Sequence, residues 1–174
     1  MGMQKVIGFV MIFAGCSGLG AWYSLQFRKQ LKNLQDMCRI LELLQGQIRF
    51  GRCTLPECCR QLTERVGEPY KSSFLAIYEA ACLNRGESFG QLCEMQLRQD
   101  LQKLVVDKED RELFMSCFSK CGFEEDRMQL RIIEQTKEEL EERLHRLSQE
   151  NTSKCRLALS LGTMSGLLLI ILFL

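Results

Sequence analysis

Leu157–Leu174 reads LALSLGTMSGLLLIILFL, 18 residues without a charge, and the fold turns on how that stretch is understood. As a helix rising about 1.5 Å per residue it measures roughly 27 Å, close to the ~30 Å hydrocarbon core of a bilayer. Lys154 and Arg156 stand just upstream, where a cytoplasmic membrane face collects cations. The run is therefore expected to span a membrane, and it closes the sequence, so no translocated domain is expected behind it. Ala158, Gly162 and Gly166 fall four apart on one helical face. Such a ridge, with one GxxxG, lets a second helix approach closely, although small residues are also simply common in membrane helices. Gly162 and Gly166 are candidate helix-contact residues.

Working outward, Val6–Tyr23 (VIGFVMIFAGCSGLGAWY) is a second uncharged run of 18 residues. Trp22 and Tyr23 end it as interfacial aromatics, and Arg28, Lys29 and Lys32 follow, whereas only Lys5 and the amino terminus precede. The rival reading is a cleaved signal peptide. Against it, the run is long for an h-region, the charged n-region is thin and no A-x-A site follows. The cation bias puts the start of the chain outside and the middle inside. The expected architecture is all-α: two terminal transmembrane helices, 1–27 and 157–174, flanking a cytoplasmic bundle over 28–156. About six helices make it up, the first and last long and continuous with the spans.

The totals agree with one modest domain between two anchors. The chain has 174 residues, 23 Lys+Arg against 22 Asp+Glu, and two prolines, Pro56 and Pro69, each where a helix begins. No basic, aromatic-interleaved patch occurs, which excludes nucleic acid as a partner. Of ten cysteines, eight lie between the runs: Cys38, Cys53, Cys58, Cys59, Cys82, Cys93, Cys117 and Cys121. No CxxC occurs and His145 is the only histidine, so zinc-finger spacing is absent. The cysteines read as small buried thiols of a reducing compartment. Cys117 and Cys121, at i and i+4, could still offer two ligands.

Between the runs the periodicity predicts a helix from Gln26 to about Phe50. It carries two apolar stripes, Leu31, Leu34, Cys38, Leu41 and Ile48 beside Met37, Ile40, Leu43 and Leu44, and Gly51 stops it. Thr54-Leu55-Pro56-Glu57 reads as a capping box opening a short helix to about Val66. Pro69 opens the next, to about Asn84, with Phe74, Leu75, Ile77, Tyr78, Ala81 and Cys82 inward; Arg85-Gly86 breaks it. Ser88 caps a fourth, with Leu92, Met95, Leu97 and Leu101 inward, to about Leu104. Asp107 or Asp110 caps a fifth on Leu113, Phe114, Cys117 and Phe118, ended by Gly122. Short loops favour antiparallel neighbours.

The last helix is expected to start near Glu124 and to run on into the tail. Glu124, Glu125 and Asp126 lie at its positive dipole end. A heptad seam can be written with Leu130, Lys137, Leu144 and Asn151 at a, and Ile133, Leu140, Leu147 and Lys154 at d. Residues 28–53 hold six Lys/Arg and two Asp/Glu, whereas residues 124–150 hold five and nine. The opposed charge predicts that the first and last helices pair as a stalk beneath a cap of four short ones. The competing reading is two solvated faces.

Convergent chemistry is missing, and no enzyme is expected. His145 falls on a solvent-facing position, no phosphate loop occurs, and Glu138, Glu139, Glu141 and Glu142 lie on a helix exterior. Cys58-Cys59, in the first turns of a helix, is the one pair with a claim to thiolate character. No cofactor or metal site is assigned.

The Ile48…Gly51…Thr54-Leu55-Pro56-Glu57 corner, the Gly122…Glu125…Gln129 start of the last helix and the Leu161-Gly162…Gly166-LLLIIL tail resemble the stage III sporulation protein AB family of endospore-forming bacteria. The resemblance covers essentially the whole chain. In the middle motif the family tends towards LGxxLGxSD. Here Phe118 replaces the first glycine, Cys121 the leucine, and Glu124-Glu125 the Ser-Asp. The resemblance implies a multi-pass component of the stage III AA–AH assembly that links mother cell and forespore, on the mother-cell side in the outer forespore membrane. It implies a soluble part similar to the cytoplasmic domain of the type II secretion F protein. The partners implied are the AA-type cytoplasmic ATPase and neighbouring membrane subunits, with homo-oligomerisation left open. Glu124, Glu125, Asp126 and Gln129 are the expected contacts for a cytosolic partner. The alternative is a membrane-anchored redox or metal sensor built on Cys53, Cys58, Cys59, Cys117 and Cys121, and a weaker third is a self-assembling pore.

Overall fold

The structure, a computed structural model, describes the backbone of residues 2–51, 53–83, 88–121 and 126–173. Side chains are described for Trp22, 24–50, 53–83, 88–121, 127–149, Ser160 and Met164, together with Gly18. Six helices, and no strand among the described residues, run in order: α1 Gly2–Gly51, α2 Leu55–Thr63, α3 Tyr70–Cys82, α4 Phe89–Leu101, α5 Lys108–Cys121 and α6 Asp126–Phe173. The all-α expectation holds, and the described residues of both apolar runs lie inside long unbroken helices, α1 and α6. Among the described residues no helix is long and apolar enough to cross a membrane. The two expected spans fall almost wholly on side chains outside the described residues. So do the Arg85-Gly86 break and the Gly122 cap.

The chain divides into two compact units, one of Met1–Leu31 with His145–Leu174 and the other of Lys32–Leu144. In the second unit α1 contributes Leu34, Met37, Cys38, Ile40, Leu41 and Leu44 to the core. At 100° per residue the two stripes expected on α1 merge into one broad buried arc. The short helices close on it: α2 through Cys58, Cys59 and Leu62; α3 through Tyr70, Ser73, Phe74 and Ile77; α4 through Leu92, Cys93, Leu97 and Leu101; α5 through Phe114, Cys117, Phe118 and Cys121. Phe114 meets Phe118 at 5.1 Å between ring centroids, Phe118 meets Phe74 at 5.6 Å, and Tyr70 meets Phe114 at 6.2 Å. Offset and tilted rings at these separations add about 0.5–1.5 kcal/mol per pair beyond the area they bury.

α1 is bound to this core by more than apolar contact. The Asn33 amide donates to the carbonyl of Val105 at 3.2 Å, and Cys38 lies in the field of Glu141, Lys137 and Asp110. Thus Lys32–Leu44 and Gln129–Leu140 belong to the same unit as the four short helices, which corrects the expected division into stalk and cap. An apolar arc as wide as that on α1 offers more surface than one neighbouring helix can cover.

Several local expectations are also corrected. Ser88 caps α4 in a full capping box with Gln91, but Thr54 makes no side-chain cap bond. Its expected partner Glu57 instead accepts from Arg60 at 2.7 and 2.9 Å; a two-point bond to a charged guanidinium outcompetes one neutral N–H. On α3 the inward line is Tyr70, Ser73, Phe74 and Ile77, whereas Leu75 and Cys82 are exposed. On α4 Met95 is exposed. Asp110 does not cap α5 but is buried within it.

Candidate interaction sites

α6 carries the candidate contact residues, and its buried line sets which of them can reach a partner. Gln129, Ile133, Thr136 and Leu140 are buried at intervals of four, three and four. Leu130, Lys137 and Leu144 are only half-buried. The seam therefore runs one position away from the expected a line and takes in two polar residues. Thr136 is accommodated because its hydroxyl hydrogen-bonds the Cys117 thiol of α5.

One turn beyond Leu140, the Arg143 Nη1 group donates to Asp110 Oδ1 at 2.9 Å and to Glu109 Oε2 at 3.2 Å. Asp110 is 2% exposed. Burial pushes its carboxyl above the usual carboxylate range, with the hydrogen bond and charge of Arg143 pulling the other way. This pair ties α6 to α5 and fixes the rotation of α6 about its axis. The face presented outward then carries Glu134, Glu138, Glu139, Glu141 and Glu142, all exposed.

Of the residues expected to meet a cytosolic partner, Gln129 is in the core, 8% exposed. Asp126 is the first residue of α6; its side chain, and Glu124 and Glu125, lie outside the described residues. Gly162 and Gly166 are within the helical backbone of α6, with their surroundings outside the described residues.

Six of the eight described cysteines behave as core, with Cys53 half-buried and Cys82 exposed. Cys58 and Cys59 are buried at the start of α2. Desolvation pushes Cys58 up to about 11 and Cys59 higher still, against the expectation of thiolate character at a helix start. Burial in an apolar wall outweighs the favourable end of a nine-residue helix dipole. Cys117 and Cys121 do meet, as their spacing allows, but as a hydrogen-bonded thiol pair. The bond from Cys121 lowers Cys117 and keeps Cys121 protonated. Among the described residues no group of three or more His, Cys, Asp or Glu is placed to hold a metal ion. His145 is exposed, with Nε2 at 3.1 Å from the Gln149 amide. The arrangement holds helices in register and displays charged faces.

A profile of the family described as stage III sporulation protein AB matches residues 5–174. A solved structure of a stage III sporulation protein AB is similar in fold, with a TM-score of 0.63 at 17% identity, covering 71% of this chain and 97% of that one. Comparison with curated protein sequences finds no match. Since the profile match takes in both apolar runs and nearly the whole chain, the chain belongs to the stage III sporulation protein AB family.

Proposed function

We propose that this chain is a non-enzymatic membrane platform of the stage III AA–AH assembly linking mother cell and forespore, with its helical head on the mother-cell cytoplasmic side. The observation that carries the reading is the family match over residues 5–174, which includes both uncharged 18-residue runs. The described residues of each run are contained in a helix, α1 or α6, that continues into the packed head. A helix of about 18–20 apolar residues suits a bilayer core, and both runs are followed or preceded by cations on the head side.

The head docks the cytoplasmic AA-type ATPase, by analogy with the cytoplasmic domain of the type II secretion F protein; this step is fold-level analogy. The negative start of α6 around Glu124, Glu125 and Asp126 is the assigned contact, and the Gly162/Gly166 face packs on another span. The buried, protonated thiols support this reading over a redox or metal sensor. Reversing Glu124, Glu125 and Asp126 to lysine is expected to abolish pull-down of the ATPase from sporulating cells; undiminished pull-down removes that contact. Gly162→Ile with Gly166→Ile is expected to impair assembly and sporulation. Carbonate extraction of the wild-type chain into the soluble fraction would overturn the platform reading itself.

A further inference from the structure

In the unit formed by Met1–Leu31 and His145–Leu174, one face of α1 changes character over three turns. Gly18, Trp22, Leu25 and Lys29 follow at intervals of four, three and four residues, with Arg28 beside Lys29. At 3.6 residues per turn all five fall within an arc of about 120°. All five are exposed: Trp22 is 61% and Leu25 58% accessible, and Gly18, Arg28 and Lys29 are exposed as well. Neither cation enters an ion pair among the described residues, and Lys32, the next cation along, is exposed too.

Two bulky apolar side chains left open directly below cations with no ion pair among the described residues, on one stripe, match a lipid boundary rather than a protein neighbour. An indole prefers the headgroup level. Long basic side chains one to two turns further on reach the phosphate layer while their stems cover apolar surface. We propose that Arg28 and Lys29 bind the phosphates of anionic phospholipids. The inference rests on the membrane-spanning reading of residues 6–23. Phosphate is the shared chemistry of acidic lipid and of a free anion, and the stripe from Trp22 to Lys29 favours lipid.

The test uses the full chain reconstituted in vesicles of phosphatidylcholine and phosphatidylglycerol, floated, extracted in neutral detergent, and analysed for bound lipid by mass spectrometry. Phosphatidylglycerol is expected to be enriched over the bulk ratio by at least about fivefold, the factor each basic residue near an anionic surface contributes. Arg28→Gln with Lys29→Gln is expected to return the ratio to bulk while the chain still floats with unchanged helicity. Lys29→Arg keeps the enrichment. A wild-type chain that floats with lipid at the bulk ratio overturns the proposal. Loss of all bound lipid to an inorganic phosphate wash, with phosphate then held by the lipid-free chain, assigns the site to a free anion and overturns it also. A chain that fails to float overturns the membrane reading, and this inference with it.

Discussion

Gly90 of α4 lies directly against the backbone of Ser119 of α5. A Cβ added at Gly90 would sit 3.1 Å from the Ser119 Cα and carbonyl carbon, and closer still to the carbonyl oxygen. Two helices cross here with nothing between their main chains. Because the obstructing atoms are backbone, no rotamer change relieves the clash. Gly90→Ala gains about 1 kcal/mol of helix propensity, but overpacking a closed contact costs about 1–3 kcal/mol. A net loss is expected, read as a lower urea midpoint with unchanged m-value. The same substitution at Gly46, where an added Cβ meets nothing, is expected to stabilise.

Arg143 and Asp110 form a pair in which one partner is far more buried than the other, with side-chain accessibilities of 35% and 3%. Removing the cation strands a carboxylate in the core; removing both strands nothing. Arg143→Leu is expected to cost about 2–4 kcal/mol, and Asp110→Leu combined with Arg143→Leu markedly less. Chemical denaturation of the two variants checks the order, which reverses if the pair contributes only as a surface bridge.

Thiol accessibility separates core from sensor. Alkylation of the native chain at neutral pH is expected to modify exposed Cys82 first. Cys58, Cys59 and Cys93, which burial pushes upward, should react only on unfolding. Mass spectrometry of a labelling time course gives the sequence of events. Early modification at Cys58 or Cys59 would restore the claim of that pair to chemistry.

Asp100 accepts from Lys103 Nζ at 2.7 Å and from Ser73 Oγ at 2.6 Å. The Lys103 hydrogen bond, then that of Ser73, hold its carboxyl below the usual carboxylate range. A depressed folded-state pKa means the stabilisation is complete above the unfolded value near 3.9, and is lost as pH falls through the folded value. Wild type is therefore expected to exceed Asp100→Asn in stability at pH 7. The two curves should converge on acidification, as followed by thermal melts across the acid range.

Much of this architecture is legible in the sequence, and the positions where the sequence misleads share one physical cause. Ser88 and Gly51 were readable as a start and a stop because their signals are local: a hydroxyl three residues before a glutamine, and a residue without a Cβ. Thr54 carried the same local signal, and an arginine three residues past Glu57 cancelled it. On α3 the apolar residues Leu75 and Cys82 read as inward, while the sequence carries no such signal for Tyr70 and Ser73. The hydroxyl of Ser73 is buried because Asp100, 27 residues away, accepts from it.

The docking candidates divide in the same way. Charge and dipole arguments mark the start of α6 as acidic, but they cannot show that Gln129, one turn on, turns into the core. The apolar runs, the helix count and the approximate breaks were set by the sequence itself, since hydropathy, capping and helical period act within a few residues. Which polar groups are buried was decided only when distant helices met: Gln129, Thr136 and Asp110 go inside, and Leu75 and Met95 stay out. A periodicity identifies a face, whereas burial depends on what stands across from it. For Thr136 and Asp110 that is a thiol and a guanidinium supplied by another helix.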